Sequence, residues 1–138
     1  MTPTPYLTFQ GNCREAMTFY ADLLGGTLTQ IMPCSEVPPG EFEVPEGKAD
    51  WIMHSAVEFD RGMLMGADDI MGGTSAMQGA SVMVSLPTTE AGQRVFDRLA
   101  EGGAVQLPYQ KTFWSPGFGM LRDRFGIAWM VTTDQPLE

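Results

Sequence analysis

Apolar residues alternate with polar ones in two stretches of the chain and recur every three to four residues in two others. Tyr6 to Phe9 alternate as a strand, and Ser81 to Leu86 do the same. A helical stripe follows each strand: Ala16, Phe19, Tyr20, Leu23 and Leu24 within Asn12–Leu24, then Val95, Phe96 and Leu99 within Thr88–Glu101. Asn12 is expected to cap the first helix, with Glu15 as its capping-box partner, and Thr88 to cap the second. Gly25-Gly26 and Gly102-Gly103 supply the left-handed stops.

These matches make an internal repeat. A shift of 77 overlays Leu7 on Val84, Phe9 on Leu86, Phe19 on Phe96 and one glycine pair on the other. Thr27-Leu28 then falls on Ala104-Val105, a second strand in each half. The remainder of each half matches at a shift of 64, with Asp60–Met65 on Arg124–Trp129 and a hairpin glycine, Gly62 or Gly126, in each. The difference of 13 residues lies within Cys34–Asp50, a stretch with three prolines and five acidic residues that reads as a long loop. Each half is β-α-β-β-β. The expectation is one α+β domain over 1–138, built of modules 1–70 and 78–138, with loop 34–50 inserted in the first.

Charge narrows the partners. Eight basic against seventeen acidic residues give a net charge of −9, which argues against nucleic acid and anionic membranes. Apolar runs such as Ile127–Val131 fall far short of the roughly 20 residues that span a bilayer. The start, Met-Thr-Pro-Thr-Pro, has neither a basic nor an apolar stretch, so a cytoplasmic protein is expected. Cys13 and Cys34 have no metal-ligand spacing, and no disulfide between them is expected.

The string from Tyr6 to Ala16, then Phe19-Tyr20 and Leu24-Gly25-Gly26, is specific. With Thr112-Phe113-Trp114 and Asp123–Trp129, it resembles the PhnB-like group of the vicinal oxygen chelate superfamily, which includes glyoxalase I, extradiol dioxygenases and bleomycin-resistance proteins. The resemblance implies paired βαβββ modules that curl a mixed sheet around a cavity, usually completed in a homodimer. It also implies four symmetry-related places for metal ligands, which fall here on Thr4, Gly66, Ser81 and Met130. A slip of one residue offers Pro5, Ala67, Val82 and Val131. Neither set contains an imidazole, carboxylate or thiolate, the donors a catalytic divalent metal needs, so no metal and no cofactor are expected. Proteins of this group often carry a methyltransferase label, yet this chain has no glycine-rich cofactor loop.

The remaining chemistry is sparse. His54 is the single histidine, on a strand where His54, Ala56 and Glu58 are expected to face the cavity while Val57 and Phe59 face the helix. It reads either as a ligand hydrogen-bonder or general base, or as a satisfied sheet-edge histidine. No Gly-x-Ser-x-Gly elbow is present, and Gly72-Gly73-Thr74 lacks a Walker lysine. Eleven methionines enrich the walls in adaptable apolar surface. Alternation places Tyr6, Thr8, Leu64, Met83, Ala128 and Met130 toward the cavity, and Leu7, Phe9, Val84, Trp129 and Val131 toward the helices. Phe113, Trp114 and Phe118 are placed at its mouth, with Trp114 needing a ligand or dimer mate to pack on. Arg14, Lys111, Arg122 and Arg124 are the cations able to meet an anion, Lys111 first among them.

The expectation is a homodimeric small-molecule binding protein, of the resistance or sequestration kind, holding a partly apolar ligand through Tyr6, Thr8, His54, Met83, Trp114, Phe118 and Met130. The alternative is a metal- or His54-dependent isomerase, lyase or dioxygenase. A third reading is a scaffold whose cavity is filled by side chains.

Overall fold

Strand and helix boundaries follow the alternation and stripes closely. The computed structural model describes residues 1–138. In chain order the first half contains β1 (Tyr6–Phe9), α1 (Cys13–Leu24), β2 (Thr27–Pro33), β3 (Ile52–Glu58) and β4 (Met63–Asp68). The second contains β5 (Val82–Leu86), α2 (Thr89–Ala100), β6 (Ala104–Gln110), β7 (Phe118–Arg122) and β8 (Ala128–Thr133). The chain divides into two compact units, Met1–Ser75 and Ala76–Glu138. No helix is long and apolar enough to cross a membrane.

Each unit is an α+β module with a four-stranded mixed sheet, ordered β1-β4-β3-β2 in the first and β5-β8-β7-β6 in the second. The first and fourth strands of each module pair in parallel, the others antiparallel. One face of each sheet carries the helix. In the first unit Leu7, Phe9, Val57 and Leu64 of the sheet and Cys13, Ala16, Met17 and Tyr20 of α1 are all buried, and α1 packs against β2, β3 and β4. In the second, α2 turns Val95, Phe96 and Leu99 inward, and Leu121, Trp129 and Val131 are fully buried. Fully burying one such side chain stabilises the fold by about 1.5–3 kcal/mol.

The expected cap of α1 is corrected. Asn12 makes no side-chain cap bond. The carboxylate of Asp68, at the end of β4, accepts instead from the N–H groups of Cys13 (3.0 Å) and Gly11 (2.8 Å) through Oδ1, and from Ile52 N–H (2.8 Å) through Oδ2. A charge from a distant strand therefore satisfies the orphan donors at the helix start and ties α1, β3 and β4 together. The cap of α2 is local, as expected: Thr88 Oγ1 accepts from Ala91 N–H at 3.1 Å. Gly25 closes α1 at φ 74°, a conformation open to glycine without strain.

The register corrects the shift of 64 for the fourth strand. Tyr6 pairs with Met65, and Met83 with Met130, so Met65 and not Gly66 is the counterpart of Met130. The cause lies in the hairpins. The first closes with Phe59 N–H on Gly62 O, while the second runs from Asp123 to Ile127 and holds one residue more before its strand. Leu64 moves with this correction. It is 5% exposed on the helix side rather than on the open face.

The 34–50 segment is pinned at its ends. Cys34 N–H bonds to Trp51 O and Ser35 N–H to Ala49 O. Lys48 donates to Ile70 O at 3.0 Å and lies 4.4 Å over the Trp51 ring.

Candidate functional site

Six of the seven expected ligand residues fall on the helix-free faces of the two sheets, Tyr6, Thr8 and His54 on the first unit and Met83, Phe118 and Met130 on the second, with Trp114 in the turn before β7. On the first unit, cross-strand pairing puts Tyr6, Met65 and Ala56 on one face, with Thr8, His54 and Gln30 beside them. His54 is held at both ring nitrogens. The Tyr6 hydroxyl lies 3.0 Å from Nδ1, and Gln30 Oε1 lies 3.0 Å from Nε2. Gln30 Oε1 accepts from Nε2–H, while the Tyr6 hydroxyl donates to or accepts from Nδ1 according to the tautomer. The Tyr6 and His54 rings also stack, centroids 5.8 Å apart. Partial burial, and after it the Cys13 thiol, raise the Tyr6 pKa above its ordinary 10.0, so the phenol stays protonated near neutral pH. Gln30 is a partner the sequence reading missed. A bulge between Leu28 and Gln30 breaks the alternation that would have placed it on this face.

On the second unit, pairing places Met83 beside Met130, Met130 beside Met120, Arg122 beside Ala128 and Phe118 beside Thr132. This face therefore runs from Arg122 and Ala128 at one end, across three methionines, to Phe118 at the other. A cavity of about 300 Å³ opens at the Arg122 end, lined by Gln78, Gly79, Ala80, Ser81, Gln106, Arg122, Ala128 and Met130. That volume lies at the lower end of the range for small-molecule pockets. Of the expected residues, Met130 alone lines it. Phe118 opens β7, four residues before Arg122, and Trp114 lies in the turn that precedes the strand, where two rings of its own chain pack on it. The indole meets Phe118 edge-on at 5.4 Å and Phe113 at 4.7 Å. The turn beneath is locked by Thr112 N–H on Ser115 O and by Ser115 Oγ on Gly117 O. Even so, Trp114 stays 55% exposed and Phe113 88%.

Among the cations, Lys111 is exposed and lies outside the cavity, whereas Arg122 is part of its wall. Gln78, Gln106 and Arg122 are wall residues the sequence reading did not bring together. Gln78 precedes the strand and follows no periodicity. Gln106 lies beside an irregularity of β6, between Val105 and Leu107.

The four positions that the resemblance implies for metal ligands are divided between the two units. Thr4 precedes β1, Ser81 precedes β5, and Met130 lies mid-β8. Gly66 turns to the helix, where a Cβ would meet Leu7 O and the Phe9 ring at 3.1 Å. Its replacement by register, Met65, offers a thioether. No three His, Cys, Asp or Glu side chains gather into a group that could hold a metal ion. The donors at these places do not fit the catalytic metal of the vicinal oxygen chelate enzymes, and no chemical step is routed through one.

A model of the Glyoxalase/Bleomycin resistance protein/Dioxygenase superfamily matches residues 5–131. The chain belongs to this superfamily. It is 31% identical over 141 residues to Protein YjdN of Escherichia coli (strain K12), a match that takes in 95% of this chain and 94% of that one. Protein PA1353 of Pseudomonas aeruginosa superposes with a TM-score of 0.89 at 39% identity, covering 98% of each chain. A Bacillus cereus PhnB protein, described as a putative 3-demethylubiquinone-9 3-methyltransferase, follows with a TM-score of 0.82 at 27% identity, covering 96% of this chain and 99% of that one. PhnB-like membership of the glyoxalase superfamily thus rests on sequence and structure together. It fixes the fold and leaves the chemistry to the residues.

Proposed function

We propose that this glyoxalase-superfamily protein binds a small, partly apolar molecule without performing metal-dependent chemistry on it. One observation carries the reading: Ser81 and Met130, two places where metal enzymes of the superfamily hold ligands, open here into the cavity of the second unit, whose remaining wall is amide, backbone, alanine and a single arginine. Such a wall recognises by shape and a few hydrogen bonds. The hydrogen bonds of His54 support the same reading, because both ring nitrogens already have partners in Tyr6 and Gln30.

A second copy of the chain is the proposed cover for the exposed apolar residues Met83, Phe113 and Trp114. Large rings left in water at this density mark an interaction surface.

The test combines elemental mass spectrometry with ligand screening by thermal shift. After soaking in zinc, nickel, manganese and iron and then washing, metal content near zero is expected, together with small apolar molecules that raise the melting temperature. One tightly held ion per chain, lost in Met130→Ala, would overturn the reading.

A further inference from the structure

We infer that the cavity of the second unit is an anion site that takes the carboxylate of an apolar small molecule on Arg122; this rests on the binding reading above and names the ligand class. Arg122, the last residue of β7, is half-buried. Its guanidinium donates from one terminal nitrogen to Gly126 O and from the other to Met77 O, both at 2.7 Å. A guanidinium has five N–H donors, so three remain beyond these two carbonyls. No carboxylate balances its charge. The neighbouring Asp123 is spent elsewhere, accepting from Phe125 and Ile127 N–H and from Trp129 Nε1. A guanidinium stays protonated throughout the working pH range, so here a partly desolvated positive charge lines a cavity in a chain of net charge −9.

The two carbonyls fix the fork, and the proposed carboxylate is taken by the donors that remain. Gln106 and Ser81 add neutral donors on the same wall, which contains no acidic side chain. One cation balances one carboxylate. A phosphate or phosphonate dianion would leave an excess negative charge beside an already acidic chain. Beside these polar groups Ala80, Ala128 and Met130 give the cavity an apolar side, and Met120 stands opposite Met130 on the neighbouring strand. The ligand is thus a small monocarboxylate with an apolar body.

The probes are 3-phenylpropionate and its uncharged amide, titrated into the full chain carrying ¹³C-methyl methionine, with the Met130 methyl signal assigned through Met130→Leu. The acid is expected to bind about tenfold more tightly than the amide at low salt, as a charge-assisted hydrogen-bond pair implies. Raising the ionic strength should narrow that ratio, and Arg122→Gln should bring it to about one. Equal affinities for acid and amide, or an acid preference untouched by Arg122→Gln, would overturn the anion site and leave the cavity reading standing. If neither probe moves the Met130 signal, the cavity reading fails, and the anion site fails with it. Arg122 also secures Met77, so should Arg122→Gln not fold, the acid-to-amide ratio and its salt dependence in the unaltered protein decide the matter.

Discussion

Replacing Asp68 tests whether a single long-range carboxylate organises the first unit. The side chain is 5% exposed and accepts three backbone N–H bonds, from Gly11, Cys13 and Ile52. In Asp68→Ala all three lose their partner. Cys13 is fully buried and Ile52 is 1% exposed, so water cannot take over there. Each buried orphan costs about 1–3 kcal/mol, which together makes about 2–6 kcal/mol for the two, with little added by exposed Gly11. Asp68→Asn keeps one carbonyl oxygen for Gly11 and Cys13 but turns an NH₂ toward Ile52 N–H, for a smaller loss of about 1–3 kcal/mol. The order of stability is therefore Asp, Asn, Ala. Urea unfolding followed by tryptophan fluorescence can resolve it, because Trp51 is the one tryptophan of the first unit while Trp114 and Trp129 report the second. Amide exchange at Cys13 and Ile52 should accelerate in both variants. An Asp68→Ala protein within about 0.5 kcal/mol of the original, a change typical of neutral surface sites, would refute the role given to this carboxylate.

Two further outcomes follow from the same structure. Burial above all, and then the Asp68 carboxylate, raise the Cys13 thiol to about 11 from an ordinary 9.0, against a partial offset from the Ser55 hydroxyl. The native protein should resist iodoacetamide at this residue at pH 8. Its contribution to stability should be whole below pH 9, where the unfolded thiol starts to ionise, and should be lost as pH rises through 11. Trp114→Ala should leave the urea midpoint of the second unit nearly unchanged while weakening self-association in sedimentation equilibrium or ligand binding. A variant that melts early with its association intact would show the ring to be core.

The helices and sheet faces were legible because they rest on short-range periodicity. Alternation in Tyr6–Phe9 and the stripe through Ala16 and Tyr20 survive in the structure, as does the Thr88 cap, whose partner is three residues away. The cap of α1 was not legible. Asn12 has the right chemistry at the right place, yet a charged acceptor 55 residues beyond Cys13 displaces it, and no local pattern announces such a pairing. The inward side of Met17, fully buried above Gly66, was also missed, since the missing Cβ at Gly66 makes the space that Met17 fills.

The site was legible to the extent that strands keep their parity, and the bulges and hairpins mark where that stops. Side chains alternate with a period of two, so one extra residue in the second hairpin exchanges Gly66 for Met65 and sends Leu64 to the core. This error does not rescue a metal site, because neither a thioether nor a glycine supplies a hard donor. It does alter what the open faces have in common. With the corrected register, methionine stands at the same place in both modules, Met65 opposite Tyr6 and Met130 opposite Met83. Each of the two sheets thus presents a soft, adaptable thioether at the same place on its open face. The modules differ in the polar group set beside it: a histidine clasped by Tyr6 and Gln30 in one, an arginine held by two backbone carbonyls in the other. The first face offers weak dipoles and the second a full charge, so an anionic ligand should be drawn to the second unit, and substitution of His54 should alter its affinity far less than substitution of Arg122.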